Sequence, residues 1–145
     1  MKIKSFSLLE MIIAIVLIAI ITSFAIPKFT NLNYNKNITT LKSQVALIQN
    51  AITNQKSKNI LLSNNQEIIS LDEATLNSVG EKLFTNVIDF SIISTNTTKK
   101  ESGMWAKTSN NSYTFYLSPD KNILFSFEDE KIICKSSVEL CSEIE

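Results

Sequence analysis

Few residues in this chain of 145 could do chemistry, and they fall into small groups. Glu10 is a carboxylate set inside a long apolar run. Cys134 and Cys141 are the two thiols, close together near the C-terminus. Asp120 and the turn Glu128-Asp129-Glu130 supply oxygens, and Lys99-Lys100 form a short basic pair. With no His, Ser-His and Cys-His nucleophile pairs are excluded, as is the commonest zinc ligand. Two Cys without His are too few for a metal site, and nothing resembles a twelve-residue calcium loop. Gly80 and Gly103 are the two glycines, which leaves no material for a phosphate-cradling loop. The acidic turn and Lys99-Lys100 therefore read as solvated loops. The chain reads as a non-enzyme without catalytic residues, cofactor or metal. Formal net charge is zero, which argues against direct nucleic-acid binding.

Glu10 carries the most information because of what surrounds it. Phe6 to Ile26 is broken by Ser7, Glu10, Thr22 and Ser23 alone. As a helix it spans roughly 31 Å, the thickness of a bilayer's hydrocarbon core. Lys2 and Lys4 precede it without an acid, which holds that end in the cytoplasm and exports the remainder of the chain. A carboxylate in such a segment costs about 2.5–3.5 kcal/mol near the bilayer centre, less when shallow, so it calls for a partner. Within this stretch the candidates are Lys4 and an amine created by cleavage.

The run Lys4-Ser5-Phe6-Ser7-Leu8-Leu9-Glu10-Met11, followed by Ile, Ala, Val and Leu and then by Ile26-Pro27, resembles the N-terminus of type IV pilins and type II secretion pseudopilins. The resemblance implies a leader, residues 1–5, cut between Ser5 and Phe6 by a prepilin peptidase that also methylates the Phe6 amine. It implies that Glu10 acts in inter-subunit assembly and that Pro27 kinks the helix without ending it. Ser5 stands where the family usually has Gly. The implied partners are self or related pilin-like subunits and an inner-membrane assembly platform. The implied location is the bacterial inner membrane, single-pass with a periplasmic head, and then a periplasmic or surface filament.

Beyond the transmembrane and assembly helix of 6–27, a helical period resumes. Ile38, Leu41, Val45, Ile48 and Ile52 make one apolar stripe, with Lys42, Gln44, Asn50, Asn54 and Lys56 on other faces. This predicts an amphipathic half over 28–58, followed by a globular head over 59–145. In the helical connector, 59–102, Ser70-Leu71-Asp72-Glu73 has the capping-box pattern. It predicts a short extra helix from Leu71 through Leu76, Val79, Leu83 and Val87. From Gly103 the period becomes two. MWAKT (104–108), SYTFYL (112–117), NILFSF (122–127) and KIICK (131–135) predict four strands joined by turns too short for anything but antiparallel pairing. The tail, 134–145, is expected to be closed by a Cys134–Cys141 disulfide, since two near cysteines in an exported domain pair; two free thiols are the alternative. The fold class is α+β, a long N-terminal helix packed on a four-stranded antiparallel sheet with a short extra helix, in agreement with the pilin-like fold.

These readings give a filament subunit, a pseudopilin of a type II secretion or DNA-uptake system, with a type IV pilus major or minor pilin as the alternative. A different class is a secreted or tethered binding domain with an ordinary signal sequence cut after Ser23-Phe24-Ala25. Glu10 in the apolar core and Pro27 just past that cut weigh against it.

Overall fold

A computed structural model describes residues 7–63 and 66–144, apart from the side chains of 25–31. Ser5 and Phe6 lie outside the described residues. The expected architecture is present: a long N-terminal helix, a four-stranded antiparallel sheet and a short extra helix. Helix α1 runs Leu8–Leu61. The strands are β1 (Lys82–Leu83), β2 (Ile92–Ile93), β3 (Met104–Ser109), β4 (Ser112–Ser118), β5 (Lys121–Glu128) and β6 (Lys131–Cys134), and α2 is Val138–Ser142. The chain divides into two compact units, Met1–Asn35 and Lys36–Glu145.

The second unit holds the core. Its sheet is a meander, β3-β4-β5-β6, each neighbour antiparallel. Turns of two residues set this order, and Asp129 and Glu130 both take the left-handed conformation that a tight hairpin demands. Trp105, Tyr113, Phe115, Leu117, Ile123 and Phe125 are buried on the sheet, as are Leu41, Ile48 and Ile52 on α1. Trp105 packs edge-on against Phe115 and at a tilt against Phe125, with ring centroids 5.2 and 5.1 Å apart.

The stripe on α1 is more polar than the spacing suggests. Gln44 and Lys56, assigned above to other faces, reach the sheet side. Gln44 Oε1 accepts from Trp105 Nε1 at 2.7 Å, and Lys56 pairs with Glu130. Gln49 Oε1 accepts from the Ile132 backbone N at 3.0 Å, and buried Asn37 donates Nδ2 to Leu117 O at 2.8 Å. Each long polar side chain satisfies a group that the sheet leaves open, so burial costs little and the helix is held in one register. Gly103 makes the closest approach. Its φ is +80°, and a Cβ there would sit 2.9 Å from Asn37 Oδ1.

Both sheet edges are dressed by the same chain. On β3, Trp105 O accepts from Thr95 N at 2.7 Å and Lys107 O from Asn77 N at 2.8 Å. On β6 the Gln49 contact takes the Ile132 N–H.

The connector corrects one expectation. No helix begins at Leu71; residues 71–90 are irregular apart from β1, and the extra helix is α2, in the tail. Positive φ at Asn77, Gly80 and Phe84 is incompatible with a helix through these positions. Leu76 and Val79, placed on the buried face, are exposed, whereas Leu71, Leu83 and Phe84 are buried. Cys134 and Cys141 are joined by a disulfide, and the Ser137 side chain caps α2 by accepting from Leu140 N.

Candidate functional site

The N-terminal part of α1 is built from residues with nothing to hide behind. From Leu8 to Phe24 the large apolar side chains are between 50 % and 78 % exposed, on every side of the helix. A helix apolar all round is stable when lipid or other helices surround it, not water. Thr22 does not spoil that surface: its hydroxyl turns back on the helix, 2.9 Å from Ile18 O and 3.0 Å from Ala19 O. Its hydrogen-bonding need is met locally, so it needs no polar partner from outside the helix.

Glu10 is the exception. It lies in the first turn of α1, where the helix's open N–H groups favour an anion. Among the described residues it has no hydrogen-bond or ion-pair partner. Helical structure continues through Pro27. Among the described residues no helix is long and apolar enough to cross a membrane. Phe6, Ala25 and Ile26, part of the 6–26 segment read from the sequence, have side chains outside the described residues.

In the head, sequence reasoning missed a second carboxylate. Asp72, read above as part of a helix cap, is buried, and its carboxylate accepts four hydrogen bonds. Oδ1 takes Lys107 Nζ at 2.8 Å and Ala74 N at 3.1 Å; Oδ2 takes Phe84 N and Tyr113 Oη, both at 2.9 Å. Lys107 Nζ also donates to Asp72 O at 3.2 Å. Burial, first, and then the Asp72 charge and its hydrogen bond raise the Tyr113 phenol far above its ordinary pKa, so it stays a donor. Phe84, held at φ +61°, packs its ring 4.8 Å from Tyr113 and 5.4 Å from Trp105. The cluster has no open face for a substrate: Asp72, Lys107 and Tyr113 are all at most 5 % exposed. It is a fastening for the connector. The available signal was Lys107, which shares the core-facing side of β3 with Trp105 and pairs with Tyr113 across the ladder. A lysine there demands a buried acid.

Among the described residues no group of three or more His, Cys, Asp or Glu side chains is placed to hold a metal ion. The acidic turn is tied up instead. Glu128 meets Lys135 and Ser126, and Glu130 meets Lys56 and Ile68 N.

No curated protein and no solved structure matches the chain. The family model for the prokaryotic N-terminal methylation motif matches residues 1–26, the segment that contains Glu10 and the start of α1. The chain therefore carries, at its N-terminus, the methylation motif that is the signature of type IV pilins and pseudopilins.

Proposed function

We propose that this protein is a structural subunit of a type IV pilus-like filament, a pseudopilin of a type II secretion or DNA-uptake system. The small head and short connector support that choice within the group. The subunit waits in the inner membrane as a single-pass protein, N-terminus in the cytoplasm and head in the periplasm. A prepilin peptidase removes residues 1–5 between Ser5 and Phe6, and the new Phe6 amine is methylated. Domain limits follow the same scheme: 6–27 for assembly, 28–58 for the amphipathic half of the helix and 59–145 for the head.

The observation that carries this reading is a carboxylate with no partner among the described residues, on a stretch, Leu8 to Phe24, that exposes large apolar side chains on every side, inside the matched motif. In a filament, Glu10 pairs with the Phe6 amine of a neighbouring subunit. Such a pair is worth little against an apolar alternative, but an unpaired buried carboxylate is heavily penalised. Glu10 thus sets the stacking register, and the apolar helices exchange lipid for one another. An inner-membrane platform drives the exchange.

Mass spectrometry of filament protein tests the processing: the expected chain begins at methylated Phe6. Glu10→Leu should leave membrane insertion and cleavage unchanged and abolish filaments. Filaments built from chains that still begin at Met1, or wild-type filament yield from Glu10→Leu, would overturn the proposal.

A further inference from the structure

Lysines gather at the end of the second unit where its chain begins, at Lys36. Asn37 marks that end: its Nδ2 donates to Leu117 O at 2.8 Å, and a Cβ on Gly103 would lie 2.9 Å from its Oδ1. The loop 96–103 and the β4–β5 turn, 118–121, lie at this level, since Gly103 N donates to Tyr116 O and Ser118 pairs with Lys121. They bring Lys99, Lys100 and Lys121 to the same end as Lys36, and all four lysines are exposed. Asp120 and Glu101 stand among them, Glu101 paired with Lys99 at 3.0 Å. Four lysines against two acids leave a positive surplus. The opposite end is balanced. There Lys56 pairs with Glu130 and Lys135 with Glu128, and Glu67 and Asp129 offset Lys58 and Lys131.

The basic loop is firmly built. Asn96 Oδ1 accepts from Thr98 N and Lys99 N at 3.1 and 2.7 Å, Asn96 O from Lys100 N at 3.0 Å, and Thr95 Oγ1 from Glu101 N at 3.3 Å. Lys100 holds φ at +47°, where glycine or asparagine fits more easily. A charged residue kept in such a conformation points to a contact that uses it.

The chain itself says what lies nearest. Ten residues of α1, about 15 Å at the helical rise, lead from Ile26, at the end of the apolar run, to Lys36. No acid occurs between Glu10 and Glu67 to oppose a negative surface on that side. We propose that this end of the head rests on the membrane surface, its lysines against the phosphates of anionic phospholipid. This rests on the reading that the subunit waits in the inner membrane, and adds to it a lipid contact that holds the head before assembly. The attraction of an ammonium to such a surface falls off within a Debye length, so the basic end is drawn in and the balanced end is not.

The test uses the full-length chain reconstituted in vesicles of phosphatidylcholine alone or mixed with phosphatidylglycerol. A membrane-impermeant acetylating reagent is applied briefly, and mass spectrometry reads each lysine. In the mixed vesicles Lys36, Lys99, Lys100 and Lys121 should react at least about threefold more slowly than in the neutral ones, and high salt should erase the difference. Lys131 and Lys135 should react alike in both. Lys99→Gln with Lys100→Gln, changes on an exposed loop, should reduce the protection of Lys36 and Lys121. Equal rates at the basic end in both lipids overturn the contact and leave the membrane and filament readings standing. So does protection that ignores lipid charge and grows with protein density, which would place a neighbouring copy there. A chain that does not float with the vesicles overturns both the contact and the membrane reading.

Discussion

Glu10 and Asp72 are the same chemical group in apolar surroundings, and the molecule treats them in opposite ways. Asp72 sits in the head with four donors on its two oxygens, and Lys107 balances its charge. Glu10 sits on an apolar helix with no partner among the described residues. A buried carboxylate is tolerable when its hydrogen bonds and charge are met, and otherwise costs several kcal/mol. For Asp72 the chain meets that need itself, so the result is a fold. For Glu10 no described residue does, and under the function proposed above a neighbouring subunit would meet it.

The comparison breaks most sharply under Asp72→Ala. That change leaves Lys107 buried without an acid and cuts the hydrogen bonds to Ala74, Phe84 and Tyr113. It should destabilise the head by about 3–5 kcal/mol, read by urea denaturation of the detergent-purified full chain. Glu10→Leu in the same assay should leave head stability within about 0.5 kcal/mol. Equal losses from the two substitutions would show that both carboxylates serve the fold.

A smaller effect is expected from Gly103→Ala. The new methyl meets Asn37 Oδ1, and alanine is strained at φ +80°. The cost should be about 2 kcal/mol, again confined to head stability. Asn37→Ala combined with it should recover less than the whole loss, because the backbone strain remains.

The smallest effect belongs to the surface pair Lys56–Glu130. The Lys56 hydrogen bond lowers the Glu130 pKa below its ordinary 4.5, and the Glu130 hydrogen bond raises that of Lys56 above its ordinary 10.5. The carboxylate's contribution is present above pH 4.5 and lost as pH falls through its lowered value. The ammonium's contribution is present below pH 10.5 and lost as pH rises through its raised value. Lys56→Met should therefore be slightly less stable than the parent across the neutral range. The gap should close in acid below the lowered Glu130 pKa. A gap unchanged in acid would assign the contribution to packing of the lysine stem.

How far the sequence could be read depends on where each residue's partner lies. The four strands are legible within a residue or two because period-two alternation and turn residues are local signals. The head half of α1 is legible from Leu41, Ile48 and Ile52, but Gln44 and Lys56 are misplaced, since their partners Trp105 and Glu130 are more than sixty residues away. The connector fails for the same reason. Ser70-Leu71-Asp72-Glu73 satisfies the local rule for a helix start, yet the Asp72 carboxylate reaches forward to Lys107 and Tyr113, and Ser70 Oγ donates to Asp72 O. Of the matched N-terminal motif, Glu10 and its apolar setting could be read directly, because a carboxylate in an apolar run is itself a local signal.

The dressed edges of the sheet bear on how copies of this chain can meet. With Thr95, Asn77 and Gln49 occupying backbone groups along β3 and β6, a visiting strand finds little to zip onto, and cross-β growth is discouraged. Copies are left to meet through side-chain surfaces, not by adding a strand to the sheet.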